Sequence, residues 1–322
     1  MKLFARFLFI GLAFIYVLVF CASLFDEYHW TLSVITHFQL QLFISGFVIA
    51  PFIFMVEKHK IWTILVILSA LGAYTQTRLP MADPFAFSPP ELKTENTLKI
   101  AQYNKYYGNK PYEDIAQWVK EQNIDILVMQ EVVRENLLPF KNALKEQLPY
   151  MLPKGSHRPD AVVIFSRYEA IDFEIKNICK EHCKTHAVRF QISPKEGQTI
   201  NFYSVHANAP VIENQANANK EELISTALWI AENQHENTVL IGDLNTTPYS
   251  YNYQEMLRIS GLQYQNYHFW PEVTWPSWNK YSLLKIPIDH ILYSPSMVLL
   301  DIDSGQQFGS DHHSLIATFA LE

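Results

Sequence analysis

Acidic, amide and imidazole side chains recur along the C-terminal part of the sequence, each close to the end of a short apolar run. Asn104 follows the run at 97–103 and Glu131 follows 125–129. His206 lies in Ser-Val-His-Ala-Asn, and Asp243 and Asn245 lie in Ile-Gly-Asp-Leu-Asn. Asp289 in Ile-Asp-His-Ile and the Gly-Ser-Asp-His run at 309–312 complete the set. Strand ends are where an α/β scaffold presents its site, and these residue types suit phosphoester hydrolysis. Carboxylates hold a hard cation such as Mg2+, which takes one or two of them and keeps several waters. Imidazoles and amides donate hydrogen bonds to phosphate oxygens as charge builds there, and one further carboxylate can take a proton from the attacking water. Taken singly, each residue has an ordinary reading. Glu131 could be a surface acid, Asp243 with Asn245 an Asx-type turn before Pro248, His206 a core histidine, and Asp289 and Asp311 turn residues ahead of strands. The ordered combination weighs against those readings.

The elements that must position these residues alternate along residues 97–322. Apolar runs at 97–103, 125–129, 161–165, 187–192, 199–205, 238–241, 288–293 and 315–319 read as strands. The patterns at 113–121, 135–147 and 212–232 read as helices, with Pro139 tolerable only near a first turn. More strands than helices, mixed along one chain, imply two sheets packed together with helices outside. Residues 81–96, rich in Pro and acidic residues, read as a linker.

Ahead of the linker, residues 1–80 form a membrane region. Three uncharged stretches at 7–25, 31–56 and 61–77 compare with the roughly 17–25 apolar residues that cross a bilayer. A cleavable signal peptide is the competing reading for the first stretch, but no small-x-small cleavage site stands out and more apolar stretches follow. His37, Gln39 and Gln41 either mark a polar intramembrane site or sit near a helix end against a neighbour. Lys2 and Arg6 precede the first stretch, Asp26 and Glu27 follow it, and Lys58, His59 and Lys60 follow the second. Positive residues favour the cytoplasmic side, so three spans put residues 97–322 outside, on the periplasmic or extracellular face of a cell membrane; if the third stretch does not span, they are cytoplasmic instead. In that setting Cys179 and Cys183 could form a disulfide; zinc is the alternative, though a second ligand pair is lacking. Beyond residue 90 the chain carries 20 Lys and Arg against 28 Asp and Glu, a net of −8. A domain that grips duplex DNA usually presents the opposite balance.

In order along 97–322, Asn104, Gln130-Glu131, Phe165-Ser166-Arg167, His206, Gly242-Asp243-Leu244-Asn245, Asp289 and Ser310-Asp311-His312 resemble the motifs of the endonuclease/exonuclease/phosphatase superfamily, in a membrane-anchored bacterial form. The resemblance implies a four-layer sandwich of two mixed β-sheets flanked by helices, preceded here by the transmembrane region. It implies Glu131 as principal metal ligand, with Asn104 and Asp311 completing the metal and phosphate surroundings, for Mg2+ or alternatively Mn2+. Asp243, helped by Asn245, would orient or deprotonate water. His206 and His312 would contact the scissile phosphate, and Asp289 would pair with His312 and raise its pKa. Asn104 and Arg167 would also meet substrate. The family's nucleases often carry a Tyr a few residues before Ser-Arg. Here that stretch reads Arg158-Pro159-Asp160-Ala161, which weakens the nuclease reading and leaves Arg158 as a substitute phosphate contact. Ser314 replaces a frequent Pro.

The substrates expected are therefore a lipid-linked or other envelope phosphoester or pyrophosphate, reached by tethering at the bilayer; a surface nuclease acting on DNA or RNA; and, last, a non-catalytic binding module. Aromatic residues at 268–278, among them Phe269, Trp270, Trp275 and Trp278, read either as a loop dipping into the membrane interface or as a packed core corner.

Overall fold

The computed structural model describes residues 2–57, 60–92, 94, 96–152, 162–183, 185–233, 235–278 and 283–321. Its first elements are helices: α1 (Lys2–Ser23), α2 (Trp30–Thr36), α3 (Gln39–Val56) and α4 (Ile61–Arg78). The stretch expected as one span at 31–56 is thus two helices with a break at His37 and Phe38. Polar side chains explain the break. His37 Nδ1 lies 2.9 Å from Thr247 Oγ1, Gln41 Nε2 donates to Lys285 O at 2.8 Å, and Gln39 Nε2 donates to Ser23 Oγ at 2.8 Å. Each of these side chains thus finds one protein partner outside its own helix. Among the described residues, α1 and α3 are long and apolar enough to cross a membrane, with mean hydropathy 2.4 and 1.9; α4 does not meet the same measure.

After α4 come β1 (Thr97–Asn104), α5 (Tyr112–Gln122), β2 (Ile126–Gln130), α6 (Arg134–Leu144), β3 (Tyr150–Leu152), β4 (Val163–Ser166), β5 (Asp172–Asn177), β6 (His186–Lys195) and β7 (Gln198–Ser204). Then follow α7 (Glu213–Glu232), β8 (Thr238–Asp243), α8 (Tyr251–Ser260), β9 (Asp289–Tyr293), β10 (Leu299–Ser304) and β11 (Leu315–Ala320). They build a six-stranded sheet, β10-β11-β1-β2-β4-β3, and a five-stranded sheet, β5-β6-β7-β8-β9. Both are mixed, with parallel pairs β1/β2 and β7/β8 and antiparallel neighbours. One core fills the space between the sheets, a second lies between the five-stranded sheet and α7 and α8, and a third between the six-stranded sheet and α5 and α6. The four-layer sandwich expected from the sequence is present.

The period-2 alternation of strand side chains explains where the site must fall. The inward rows read Leu98-Ile100-Gln102-Asn104, Ile126-Val128-Gln130, Ile200-Phe202-Ser204, Val239-Ile241-Asp243 and, on antiparallel β9, Tyr293-Ile291-Asp289. The apolar members all belong to the inter-sheet core, and the polar members are buried with them. Every row turns polar at the same end of the sandwich.

Two further expectations need correction. Residues 81–86, the start of the expected linker, are docked: Met81 pairs with Tyr264, Ala82 N–H donates to Tyr264 O at 2.8 Å, and Asp83 N–H donates to Gln265 Oε1 at 2.9 Å. Buried Arg78 causes this, because its guanidinium donors require acceptors. They find Pro84 O, Ala86 O and His268 O at 2.9, 3.0 and 3.0 Å. The aromatic loop is not a core corner but packs, half-exposed, against the N-terminal helices. Phe269 stacks on Tyr74 with centroids 4.9 Å apart, and Trp270 meets Phe43 at 6.1 Å, so the loop forms the seam with α3 and α4. Cys179 and Cys183 form a disulfide.

Gly242 sits where β8 passes the residue following β7; a Cβ there would lie 2.1 Å from Val205 O. Backbone cannot yield as a flexible side chain can. Gly242→Ala should cost about 3 kcal/mol of stability, measured as a lowered denaturation midpoint of the detergent-solubilised chain, because overpacking is destabilising. A change below about 0.5 kcal/mol, the size of a typical surface substitution, would contradict this packing.

Candidate active site

At the polar end of the inter-sheet core, strand register sets two carboxylates side by side. Asp243 on β8 pairs in register with Asp289 on β9, and the residues are 1% and 2% exposed. Two buried like charges at adjacent positions need compensation, and the neighbouring strands supply it. Gln102 Nε2 donates to Asp289 Oδ1 at 2.6 Å and to Gln130 Oε1 at 2.7 Å; Asn104 Nδ2 donates to Asp243 Oδ2 at 3.0 Å. The amides come from one sheet and the carboxylates from the other.

His312 completes the balance. Its Nδ1 lies 2.8 Å from Asp289 Oδ2 and its Nε2 lies 3.7 Å from Asp243 Oδ2. Burial by itself would lower the imidazole pKa, but Asp289 and Asp243 outweigh it and raise it to about 10. Burial likewise opposes ionisation of Asp289, yet the charge of His312 and hydrogen bonds from His312, Thr274 and Gln102 hold it below the ordinary carboxylate value. The pair is therefore an imidazolium and a carboxylate. Asp243 differs: burial, then Asp289, push its carboxyl up to about 6 against the pull of His312, His206 and Asn104. A carboxylate raised toward neutral pH is suited to exchange a proton with water.

His206 Nε2 approaches the same Asp243 Oδ2 at 3.6 Å, so one oxygen is faced by His206, His312 and Asn104. Its partner Oδ1 accepts the Asn245 N–H at 2.9 Å, and Asn245 Nδ2 donates to Ala207 O at 2.9 Å. This is the Asx-type turn of the sequence reading, and it also ties the His206 loop to Asp243.

Glu131 stands at the lip of the site. Its Oε1 accepts from Asn104 Nδ2 at 3.0 Å and its Oε2 from Tyr107 N–H at 2.9 Å. Ser310 Oγ donates to Asn104 O at 2.7 Å, which brings the following residue, Asp311, to the same edge; Trp275 Nε1 donates to Asp311 Oδ2 at 3.3 Å. Glu131, Asp311 and Asn104 Oδ1 offer only oxygen donors with lone pairs to spare, a set that fits a hard divalent cation. The ligand atoms of Asp243, Asp289 and His312 also lie within 4.8 Å of one another, but His312 Nδ1 is already engaged with Asp289 Oδ2 at 2.8 Å. Backbone strain concentrates here. Tyr106, Glu131, Asn245 and Phe308 have φ of 60°, 58°, 49° and 44°, left-handed values that non-glycine residues hold only where the surroundings enforce them.

One expected residue, Arg167, lies elsewhere. Arg167 pairs with Asp125 at 3.0 Å, at the N-terminal end of β2. Glu131 follows the other end of that strand, on the order of 15 Å away at about 3.3 Å per residue, so Arg167 pins the sheet and does not reach the site. Arg158 lies outside the described residues. Conversely, sequence reasoning passed over Gln102 and Lys105 and gave Trp275 no place at the site. A polar residue in an otherwise apolar inward row was a signal for Gln102, whereas Lys105 carried none. Lys105 is buried, and its Nζ donates to Tyr106 O, Tyr107 O and Asn109 O at 2.9, 3.1 and 2.9 Å; burial lowers its pKa to about 8.

Lys105 thereby holds the loop whose N–H groups orient Asn104 and Glu131. Lys105→Met should weaken divalent-metal binding roughly tenfold, as loss of supporting partners behind metal ligands does, measured by calorimetric titration with the far-ultraviolet spectrum unchanged. Unaltered affinity would separate the loop from the metal edge.

A family-profile comparison matches residues 101–312 to the endonuclease/exonuclease/phosphatase family. No curated protein matches the chain in a direct sequence search. Among solved structures, the chain is similar to mannosyl-6-phosphatase from Bacteroides thetaiotaomicron, with TM-score 0.55, 15% identity, and 70% of this chain and 100% of that one covered. It is similar to beta toxin from Staphylococcus aureus with bound magnesium ions (0.54, 17%, 70% and 99%) and to sphingomyelinase C from Streptomyces griseocarneus (0.53, 17%, 70% and 99%). At these identities the likeness carries the fold. With the family profile spanning every residue of the constellation, the chain belongs to the endonuclease/exonuclease/phosphatase family of metal-dependent phosphoesterases.

Proposed function

We propose that the chain is a membrane-held, Mg2+-dependent phosphoesterase acting on a lipid-linked or other envelope phosphoester or pyrophosphate. The observation that carries the hydrolytic reading is the Asp243 carboxylate, raised in pKa and faced at Oδ2 by two imidazoles and an amide. Asp243 orients water and takes its proton. His312, kept charged by Asp289, and His206 donate to phosphate oxygens as negative charge grows on them. Glu131, Asp311 and Asn104 would hold Mg2+, whose chemistry is to neutralise phosphoryl charge.

Support for membrane tethering comes from the exposed apolar surface of the N-terminal helices. Only 11% and 22% of the apolar windows of α1 and α3 are buried, and Phe7, Phe14, Leu18, Phe47, Val48 and Phe52 face outward. Apolar surface on that scale needs lipid or a partner. With α4 crossing alongside α1 and α3, the loop charges put residues 97–322 outside the cytoplasm; with α1 and α3 alone they put them inside. The catalytic part's net charge of −8 disfavours a duplex nucleic acid substrate.

The test offers the detergent-solubilised chain a lipid-linked pyrophosphate and plasmid DNA in parallel, with and without Mg2+. Lipid phosphate release, no nicking, and a loss of at least about 100-fold in kcat for Asp243→Asn are expected, the usual range for a proton-transfer group. Nicking that disappears in Asp243→Asn would make the chain a tethered nuclease.

A further inference from the structure

A cavity of about 550 Å3 lies beside the site, between the N-terminal helices and the catalytic sandwich. That is within the roughly 300–1,000 Å3 of small-molecule pockets. One wall is α2, through Trp30 and Val34, with His37 just past its end; the other is Ala209, Pro210, Trp275 and Ile288 of the sandwich. Asn245 lines it as well, and Asn245 N–H is bonded to Asp243, so the cavity ends one residue away from the catalytic carboxylate. Trp275 joins it to Asp311 through the indole hydrogen bond. α2 lies outside the family-matched segment of 101–312 and leads directly into α3, which is apolar and long enough to enter lipid.

His37 supplies an independent observation. Its Nδ1 faces both the hydroxyl and the backbone N–H of Thr247, at 2.9 and 3.4 Å. A nitrogen that accepts a backbone N–H carries no proton, which places the imidazole proton on Nε2. Nε2 is buried and has no hydrogen-bond partner among the described residues, although the residue lines the cavity. A buried donor without an acceptor is costly unless something in the cavity accepts from it.

We propose that this cavity is the subsite for the apolar chain of an amphiphilic phosphate ester, with the His37 Nε2–H meeting an oxygen at the chain's polar end while the phosphate lies over Asp243. This rests on the phosphoesterase reading above and names its substrate class. The chain extends from the catalytic edge toward α2 and α3, so a substrate need not leave the lipid phase to be cut.

The test has two arms. In the first, kcat/KM is measured with Mg2+ for alkyl p-nitrophenyl phosphodiesters of increasing chain length. It should rise roughly fourfold per methylene until the cavity is full, as burial of each CH2 implies. Val34→Trp, which fills the cavity, should collapse the ratio of long-chain to short-chain kcat/KM toward one. Leu18→Trp, on the outward face of α1, should keep the parental ratio. In the second arm, hexadecylphosphonate, which cannot be hydrolysed, should bind the parent and bind Val34→Trp at least tenfold more weakly by titration calorimetry. Ala209→Leu repeats both arms from the opposite wall should Val34→Trp not fold. Short-chain turnover without chain-length dependence overturns this inference and leaves the phosphoesterase reading standing. Turnover of neither these esters nor the lipid-linked pyrophosphate sinks the phosphoesterase reading, and equal phosphonate binding by parent and filled variants overturns the chain subsite independently of turnover.

Discussion

Asp243 and Asp289 occupy one register position on neighbouring antiparallel strands, buried. Two carboxylates so placed repel each other and lose their hydration, and the catalytic end of the molecule is organised around making them tolerable. Gln102 and Asn104 reach across from the other sheet to one carboxylate each. The imidazolium of His312 sits between both. The result is asymmetric. Asp289, bonded closely to His312, is held ionised, whereas Asp243, facing donors at 3.6 and 3.7 Å, is pushed up toward neutral pH. One carboxylate is an orienting anion and the other is available to a water proton.

The sandwich makes this arrangement affordable. Below the polar end, the same inward rows continue as Leu98, Ile100, Ile126, Val128, Phe202, Val239 and Ile291 in one continuous core, and apolar burial of this kind is the dominant favourable contribution to folding. The N-terminal helices attach at the polar end. Asp26 Oδ2 accepts the Tyr251 N–H at 2.7 Å, His37 meets Thr247 and Gln41 meets Lys285. Arg78, buried at the end of α4, gathers three carbonyls into the same seam. The helices are thus docked onto the catalytic face and do not hang from a loose tether.

Much of this was legible in the sequence because it rests on local pattern. Period-2 apolar runs marked β1, β2, β4, β6 to β9 and β11, and the acidic and imidazole residues at their ends named Asn104, Glu131, His206, Asp243, Asp289 and His312, which the fold brings to one end of the sandwich. What escaped depended on contacts distant in the chain. β5 is an edge strand, mostly exposed, whose short Phe173-Ile175 alternation among charged residues went unread; β3 has three residues. Lys105 looks like any surface lysine until the 106–109 loop closes over it. Arg167 misled because motif order carries no information about which end of a strand a residue occupies. The polar residues of the 31–56 stretch were visible, but their partners, Thr247 and Lys285, lie more than 200 residues away, and only tertiary structure shows that they break the helix.

The most direct test of the chemistry is hydrolysis in H2(18O) followed by mass analysis of both products. Water oriented by Asp243 for attack at phosphorus places the heavy oxygen in the released phosphate and none in the alcohol. Label in the alcohol would mean that the carbon–oxygen bond breaks, and Asp243, His206 and His312 could not hold the roles assigned to them.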